Sequence, residues 1–437
     1  MRKGLKRIGV GLVAVGLCLV VLMGSVAPAK AEPERGKVVK IGCCTAYLGP
    51  LATIGVPACN AWFDCVRYVN EQGGINGVKI ETVWRETRGF IPDDCIGIRR
   101  LAAEGALIVQ GTPADPAVAI AAQRAEVPAN WIDALISTEV LTKPHQWLAV
   151  SATDWVSFCY STLRLIKNTM WTEARPLRLG YMGYEYPAGL STLEGLEYKN
   201  GELLAALGIE LVGHESFPFL GCIDTSTEWL RLAGKKPDWV YLISFGAPSV
   251  TAVKDAARLG IQQKGIKLVA GPNSLGEAPV KVTGKDADGW YTVMIMPPPS
   301  NPEIRERIFP GLKIYANKEM EYRGIKPEEL TAFGVVGWMM TLVAVEAIRL
   351  AMEKVGYENL TGGAVRDALF GGDLVGFDTG CAPPIVCTET TPYLIDRGFL
   401  CEIREGRFEL VGQIPPTPCF WTQPEEFEEA LLRESGT

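Results

Sequence analysis

The chain has 437 residues, with 43 Lys and Arg set against 50 Asp and Glu for a formal net charge of −7, and 48% of its residues are hydrophobic. That length predicts two domains with a sizeable core, and an acidic balance without clustered Lys and Arg argues against nucleic acid as a partner. Twelve cysteines but only two histidines, His145 and His214, with no Cys-x-x-Cys spacing, leave a structural metal site without its usual ligands.

The chain opens on Met1-Arg2-Lys3-Gly4-Leu5-Lys6-Arg7, continues with an apolar run from Ile8 to about Met23, and reaches Ala29-Lys30-Ala31. A cationic start, an apolar middle and a small-x-small site predict a signal peptide over residues 1–31, cleaved after Ala31. A membrane anchor is the competing reading, but this glycine-bearing run is short for a hydrocarbon core that takes about 20 apolar residues. Leu17 stands where a lipid-attachment signal places a small residue, so Cys18 belongs to the discarded segment. Cleavage removes Arg2, Lys3, Lys6, Arg7 and Lys30, which deepens the net charge from −7 to −12. It also leaves 11 cysteines, an odd number in an oxidising compartment, so at least one thiol has no partner within the chain. One or two disulfides among otherwise buried thiols are expected, and Cys381 and Cys387 bracket Ala-Pro-Pro-Ile-Val, a spacing that a hairpin can bridge.

Val38 to Gly42 reads as a short buried strand, followed by an amphipathic stretch through Trp62, Val66 and Val69 that stops at Gly73-Gly74. Ile75-Asn76-Gly77 predicts a tight turn, Val78 to Trp84 a strand, Asp93 to Glu104 a helix and Ala106 to Gln110 a strand buried on both faces. The rhythm returns with helix Asp154 to Asn168, strand Leu177 to Met182, helix Ser191 to Leu207, strand Glu210 to Gly213, helix Thr227 to Ala233, strand Trp239 to Ile243, helix Ser249 to Leu259 and strand Ile266 to Ala270. Alternating strands and helices predict an α/β fold with parallel sheets. Pro297-Pro298-Pro299 breaks the pattern and marks a crossing between domains. Beyond it, Glu303 to Arg323 and Thr331 to Glu353 read as helices, the second apolar enough to be core or a cleft wall. Thr391 to Glu405 and Arg407 to Val411 predict a late hairpin turning at Glu405-Gly406, and Pro424 to Glu434 an acidic terminal helix.

Three stretches carry a family likeness: Tyr47-Leu48-Gly49-Pro50-Leu51-Ala52-Thr53-Ile54-Gly55, Asn70-Glu71-Gln72-Gly73-Gly74-Ile75-Asn76-Gly77-Val78-Lys79-Ile80, and Asp224-Thr225-Ser226 ahead of Lys236-Pro237-Asp238. With them the chain resembles, over about residues 38–412, the type I periplasmic binding proteins, and within these the branched-chain amino-acid (Leu/Ile/Val) group of ABC-importer substrate-binding proteins. The resemblance implies two Rossmann-like lobes with parallel-sheet cores, joined by a three-segment hinge, with the ligand cleft between strand ends of the two lobes. It places lobe one at residues 37–153 with 299–371, lobe two at 154–298 with 372–415, and a C-terminal tail at 416–437.

The likeness also implies ligand-binding positions. Thr112 falls where the family places a serine hydroxyl against the ligand's carboxylate, although Gly111-Thr112-Pro113 would form a turn in any case. The loop from Ala129 to Ser137 departs from the family's short Ser-Pro-Ala-Ala-Thr-like run; within it Ala134 is a pocket candidate, and Asp133 is expected either to pair with a ligand amine or to cap the next turn. Tyr186 stands where a tyrosine reaches in from lobe two, with Pro187 in place of the family's glycine, and Tyr47 and Ile54 flank the first loop, as pocket lining or ordinary packing. Asn273, in Gly271-Pro272-Asn273-Ser274, occupies a position where amino-acid binders often place a carboxylate against the ligand's ammonium. A neutral amide supplies no such countercharge, so either Asp115, Asp133 or Glu185 substitutes, or the ligand is an amide or an apolar or aromatic carboxylate.

These residues predict a non-catalytic exported protein without cofactor or metal, a monomer that binds a small molecule by hinge closure and serves a membrane permease. The alternatives are a sensory module that docks on a receptor, and a secreted α/β hydrolase. The second lacks Gly-x-Ser-x-Gly, Gly-x-Gly-x-x-Gly and phosphate-loop patterns, and two histidines leave little for general acid–base work.

Overall fold

The structure, a computed structural model, describes residues 37–433 apart from positions 50, 113, 114, 135, 136, 144 and 308. The expected signal peptide therefore lies outside the described residues. The first block runs β1 (Val38–Thr45), α1 (Ala52–Glu71), β2 (Lys79–Glu86), α2 (Ile91–Ala103), β3 (Ala106–Gly111), α3 (Pro116–Ala125), β4 (Ala129–Ala134) and β5 (Leu148–Ala152). The second runs α4 (Trp155–Thr169), β6 (Leu177–Tyr184), α5 (Pro187–Leu196), α6 (Glu202–Ala206), β7 (Ile209–Phe217), α7 (Ser226–Gly234), β8 (Trp239–Ile243), α8 (Ala247–Arg258), β9 (Lys267–Ala270), α9 (Glu277–Thr283) and β10 (Tyr291–Met294). Then come α10 (Pro302–Arg307), α11 (Pro310–Arg323), α12 (Ala332–Val355), α13 (Gly362–Phe370), β11 (Tyr393–Ile395), β12 (Gly398–Arg404), β13 (Arg407–Ile414) and α14 (Pro424–Arg433).

These strands form two sheets. One has the order β11-β5-β4-β3-β1-β2 and the other β13-β12-β10-β9-β8-β6-β7. Every neighbouring pair in the first sheet is parallel, and antiparallel pairing enters the second only at β12 and β13. Central strands such as Trp239–Ile243 and Leu148–Ala152 are buried at every residue, as strands covered by helices on both faces must be. The same double covering buries both Cys43 and Cys44, although their side chains leave opposite faces of β1.

Several local features follow directly from residue chemistry. Asn76 and Gly77 both take left-handed backbone angles (φ 48° and 86°), which closes the Ile75–Val78 turn and starts β2. The 24-residue α12 is long and apolar enough to cross a membrane, but it packs along α1, where a Cβ on Gly337 would come within 2.4 Å of the Ala58 carbonyl. It is a core helix, and its first turn also reaches the space between the sheets.

The structure departs from the sequence pattern in four places. The single helix expected from Ser191 to Leu207 breaks between α5 and α6, where Lys199, Asn200 and Gly201 all have positive φ (49°, 56° and 78°). The helix expected from Glu303 to Arg323 divides into α10 and α11 ahead of Pro310, which can begin a helix but not continue one. Residues 393–395, expected in the hairpin and in lobe two, pair instead with β5 of the first sheet, so the third passage between sheets falls after Ile395 and not near Gly372. All eleven described cysteines are free thiols, Cys381 and Cys387 included, and nine of them are buried. Burial raises the pKa of both thiols of that pair, Cys381 to about 12, which keeps them protonated and unreactive.

The first passage, Thr153-Asp154, is fixed by a buried carboxylate. Asp154 accepts from the Ser157 N–H (2.8 Å), the Ser157 hydroxyl (2.6 Å) and the Phe420 N–H (2.9 Å), which ties the start of α4 to the C-terminal segment. Phe427 of α14 is fully buried and packs edge-on against Tyr160 of α4 at 5.5 Å. Burying such a ring stabilises the docking by about 2 kcal/mol, so the acidic terminal helix is part of the second half's core.

Candidate functional site

A cavity of about 60 Å³ lies between the two sheets. Its walls come from the carboxyl ends of strands, where open α/β sheets receive ligands. Thr112 follows β3, Asp133 and Ala134 end β4, Tyr184 ends β6, and Phe245, Asn273 and Ile295 follow β8, β9 and β10. Leu51 and Ile54 at the start of α1, Asp115 and Ile132, and Phe333 of α12 complete the first half's wall. Trp155, Tyr186, Pro187, Ala188 and Phe219 complete the second's. Two glycines make the placement possible. A Cβ on Gly111 would come within 2.3 Å of the Trp131 ring, so a bare backbone carries Thr112 past it, and one on Gly271 would come within 2.1 Å of Ile243 Cδ1 and displace that side chain.

The second half's wall is a continuous aromatic surface. Tyr184 stacks on Tyr186 with centroids 5.5 Å apart, both rings touch Phe219 (5.4 and 4.9 Å), and Phe245 bridges Tyr184 to Trp155 (6.2 and 5.4 Å). Such a wall favours apolar or planar solute surface. Burial, with the Asp133 carboxylate next in importance, pushes the Tyr186 hydroxyl up to about 12 and also raises that of Tyr184, so both phenols are neutral near pH 7.

The polar atoms divide into satisfied and unsatisfied ones. Asp115 caps α3 by accepting from the Ala117 N–H at 2.8 Å, and Asp133 Oδ1 accepts from the Ala134 N–H at 2.8 Å. Asn273, at φ 52°, donates its N–H to the Val293 carbonyl (2.8 Å), and its Oδ1 accepts from the Ile295 N–H (3.4 Å). By contrast, Thr112 and Trp155 line the cavity, and the Thr112 hydroxyl and the Trp155 indole N–H have no hydrogen-bond partner, although Thr112 is 2% and Trp155 1% exposed. A buried polar group left unpaired costs about 1–3 kcal/mol, and here each half carries one such group on a residue that lines the cavity.

Six of the seven sequence candidates, Ile54, Thr112, Asp133, Ala134, Tyr186 and Asn273, meet at this cavity. Tyr47 does not line it: its hydroxyl donates to Asn60 Oδ1 (3.1 Å) and its N–H to Glu86 (3.1 Å) beneath the first loop. Glu185 points outward and accepts from the Ser216 hydroxyl. The sequence reading did not single out Trp155, Phe219, Phe245, Ile295 or Phe333. A rule that takes the two residues after each buried strand would have found Phe245 and Ile295; nothing local marks Trp155 or Phe333. Among the described residues no His, Cys or Lys lines the cavity, and both histidines are exposed, His145 beside Glu389 (3.8 Å) and His214 beside Glu197 (3.6 Å). Among the described residues no group of three or more His, Cys, Asp or Glu could hold a metal ion.

The sequence pattern of the family described as periplasmic binding protein matches residues 38–403, which takes in the whole first sheet, the second as far as β12, and every wall of the cavity. The chain belongs to the periplasmic binding protein family. A comparison with curated proteins gives no match. Among solved structures, this periplasmic binding protein is similar to a branched-chain amino acid ABC transporter protein from Thermus thermophilus with bound valine, at a TM-score of 0.73 and 18% identity over 88% of this chain and 98% of that one. A fatty acid ABC transporter substrate-binding protein from Thermomonospora curvata gives 0.71 and 18% over 91% and 97%. An extracellular ligand-binding receptor from Rhodopseudomonas palustris HaA2 gives 0.69 and 20% over 86% and 100%. At these identities the likeness fixes the fold, two α/β halves with a cleft between them.

Proposed function

We propose that this protein is an exported, non-catalytic solute-binding protein that closes its two halves around a small molecule and delivers it, as a monomer, to the permease of an ABC-type importer. The observation that carries the reading is the pair of buried unpartnered donors, Thr112 Oγ1 and Trp155 Nε1, on residues that line a cavity between the halves whose wall is largely aromatic and apolar, with Asp115, Asp133 and Asn273 as its other polar members. They suit a solute with one accepting end, a carboxylate or an amide carbonyl, and an apolar remainder. At roughly 10–15 Å³ per water-sized occupant, the cavity of about 60 Å³ favours a compact molecule over a long acyl chain. A branched-chain or other amino acid, a related amide and an aromatic carboxylate all fall within that class. Asp115 and Asp133 offer the countercharge that Asn273 lacks, which keeps α-amino acids among the candidates.

The test is to strip carried-over solute from the mature protein by unfolding and refolding, then to follow its melting against amino acids, amides and aromatic acids. One class should raise the melting temperature saturably, because only a partner of the folded state stabilises by mass action, and the compound should be recovered unchanged. No shift from any class, or consumption of the compound, would sink the proposal.

A further inference from the structure

We propose that Glu277 is a latch that fastens the second half onto the amino end of α12 and thereby positions Phe333 over the cavity. Glu277 is the first residue of α9, which packs on α8, and its Oε1 accepts a 3.0 Å hydrogen bond from the backbone N–H of Ala332, the first residue of α12, which packs on α1. The two helices belong to different halves, so opening the cleft breaks this bond. The acceptor is well matched to its donor. A helix leaves its first amides without partners of its own; in α12 the Thr331 hydroxyl takes the Gly334 N–H (3.2 Å) and Glu277 takes that of Ala332. The amino end of a 24-residue helix favours the ionised form of such a carboxyl, a preference that burial outweighs here. The latch adjoins the cavity on both sides, since Asn273, four residues before Glu277, and Phe333, next to Ala332, both line it.

The titratable groups that face Glu277 from elsewhere are Tyr315 of α11, whose hydroxyl donates to the Thr331 carbonyl (3.4 Å), and Cys401 of β12. Burial keeps both neutral, and no cation is among the groups that shift Glu277. Desolvation between the halves pushes the Glu277 carboxyl up to about 7, against the two backbone N–H groups that lower it. The closed form then binds a proton that an open form, with the carboxyl in water, does not. The latch is firmest below the ordinary carboxylate range and loosens as pH rises through about 7.

The inference uses the closure assumed in the proposed function, but its test needs no solute. Amide hydrogen exchange of the full mature chain is followed in segments 331–335 and 183–186 at pH 5 and 8, after correction for intrinsic rates, in wild type, E277A and E277Q. Wild type should be protected in both segments at pH 5. E277A should lose about tenfold protection in both, the equivalent of one hydrogen bond of about 1.4 kcal/mol, with its melting temperature nearly unchanged. E277Q, which can still accept the Ala332 N–H, should restore protection and show the same value at both pH values. An unprotected wild type at pH 5, an E277A as protected as wild type, or a loss confined to 331–335, which is what mere loss of a helix cap gives, would overturn the latch. If the solute screen fails while this pattern appears, the binding proposal falls and the latch stands.

Discussion

Asp154 and Trp155 are adjacent in sequence and both almost wholly buried, yet their polar atoms are used in opposite ways. The Asp154 carboxylate takes up three donors and joins the first passage between the halves to the C-terminal segment. The Trp155 indole N–H, one residue on, has no partner, nor has the Thr112 hydroxyl, and both residues line the cavity. A buried polar group that is satisfied within the chain holds the fold, and one left unsatisfied at a cavity wall is available to something that is not part of the chain.

Replacing Asp154 should therefore act on stability first. D154A removes three hydrogen bonds, although the Ser157 hydroxyl can still donate to the Pro418 carbonyl and the Phe420 N–H to Ser157 Oγ, and is expected to cost about 2–3 kcal/mol in urea unfolding, together with faster exchange in α14. Asp94 of the first half provides the next contrast: it is as buried as Asp154, but neither carboxylate oxygen has a partner, and the neighbouring Thr87 hydroxyl donates to the Thr45 carbonyl instead. Burial pushes Asp94 up to about 8, and Glu319, buried with the Asp64 carboxylate beside it, also to about 8. Each binds a proton more tightly folded than unfolded, so the stability they contribute is complete below the ordinary carboxylate range and is lost as pH rises through about 8. Unfolding followed from pH 5 to 9 should show a decline on the order of a few kcal/mol, and D94N should remove part of that slope.

The cavity donors should respond the other way round. T112V removes a hydroxyl that has no partner to lose, so unfolding should change by less than about 0.5 kcal/mol while the solute that gives the largest melting shift binds about tenfold more weakly. W155F removes the N–H donor together with part of the buried ring, so a loss of about three- to tenfold in affinity is expected by titration calorimetry, with a packing cost of about 1–2 kcal/mol in unfolding. If either variant destabilised the protein as much as D154A and left affinity intact, the contrast between the two neighbours would dissolve.

Much of the fold was legible because it rests on short-range rules. Buried runs such as Trp239 to Ile243, the double glycine after α1 and the turn at Asn76-Gly77 fix their elements whatever surrounds them. The misreadings share a cause. The stretch from Ser191 to Leu207, read as one helix, contains a break made by three left-handed residues, and Pro310 restarts a helix within the stretch from Glu303 to Arg323 that was read as continuous. Strand β11 has only three residues, too few for its alternation to show which sheet it joins. For the site, strand-end loops such as Thr112 and Asn273 could be found from the family likeness, whereas Phe333 lies more than two hundred residues from Thr112 and carries no local mark.

The amino-acid sequence by itself determined the alternation of strand and helix, the two sheets and the family, because periodicity, turn chemistry and the Gly-Gly-Ile-Asn-Gly segment act over a few residues. Only the tertiary structure decided which polar atoms are satisfied. Asp154 meets a donor 266 residues away, Glu277 meets Ala332 at a distance of 55 residues along the chain, and Thr112 and Trp155 meet none. Pairing of that kind depends on which chain ends packing brings together, and no local pattern encodes it.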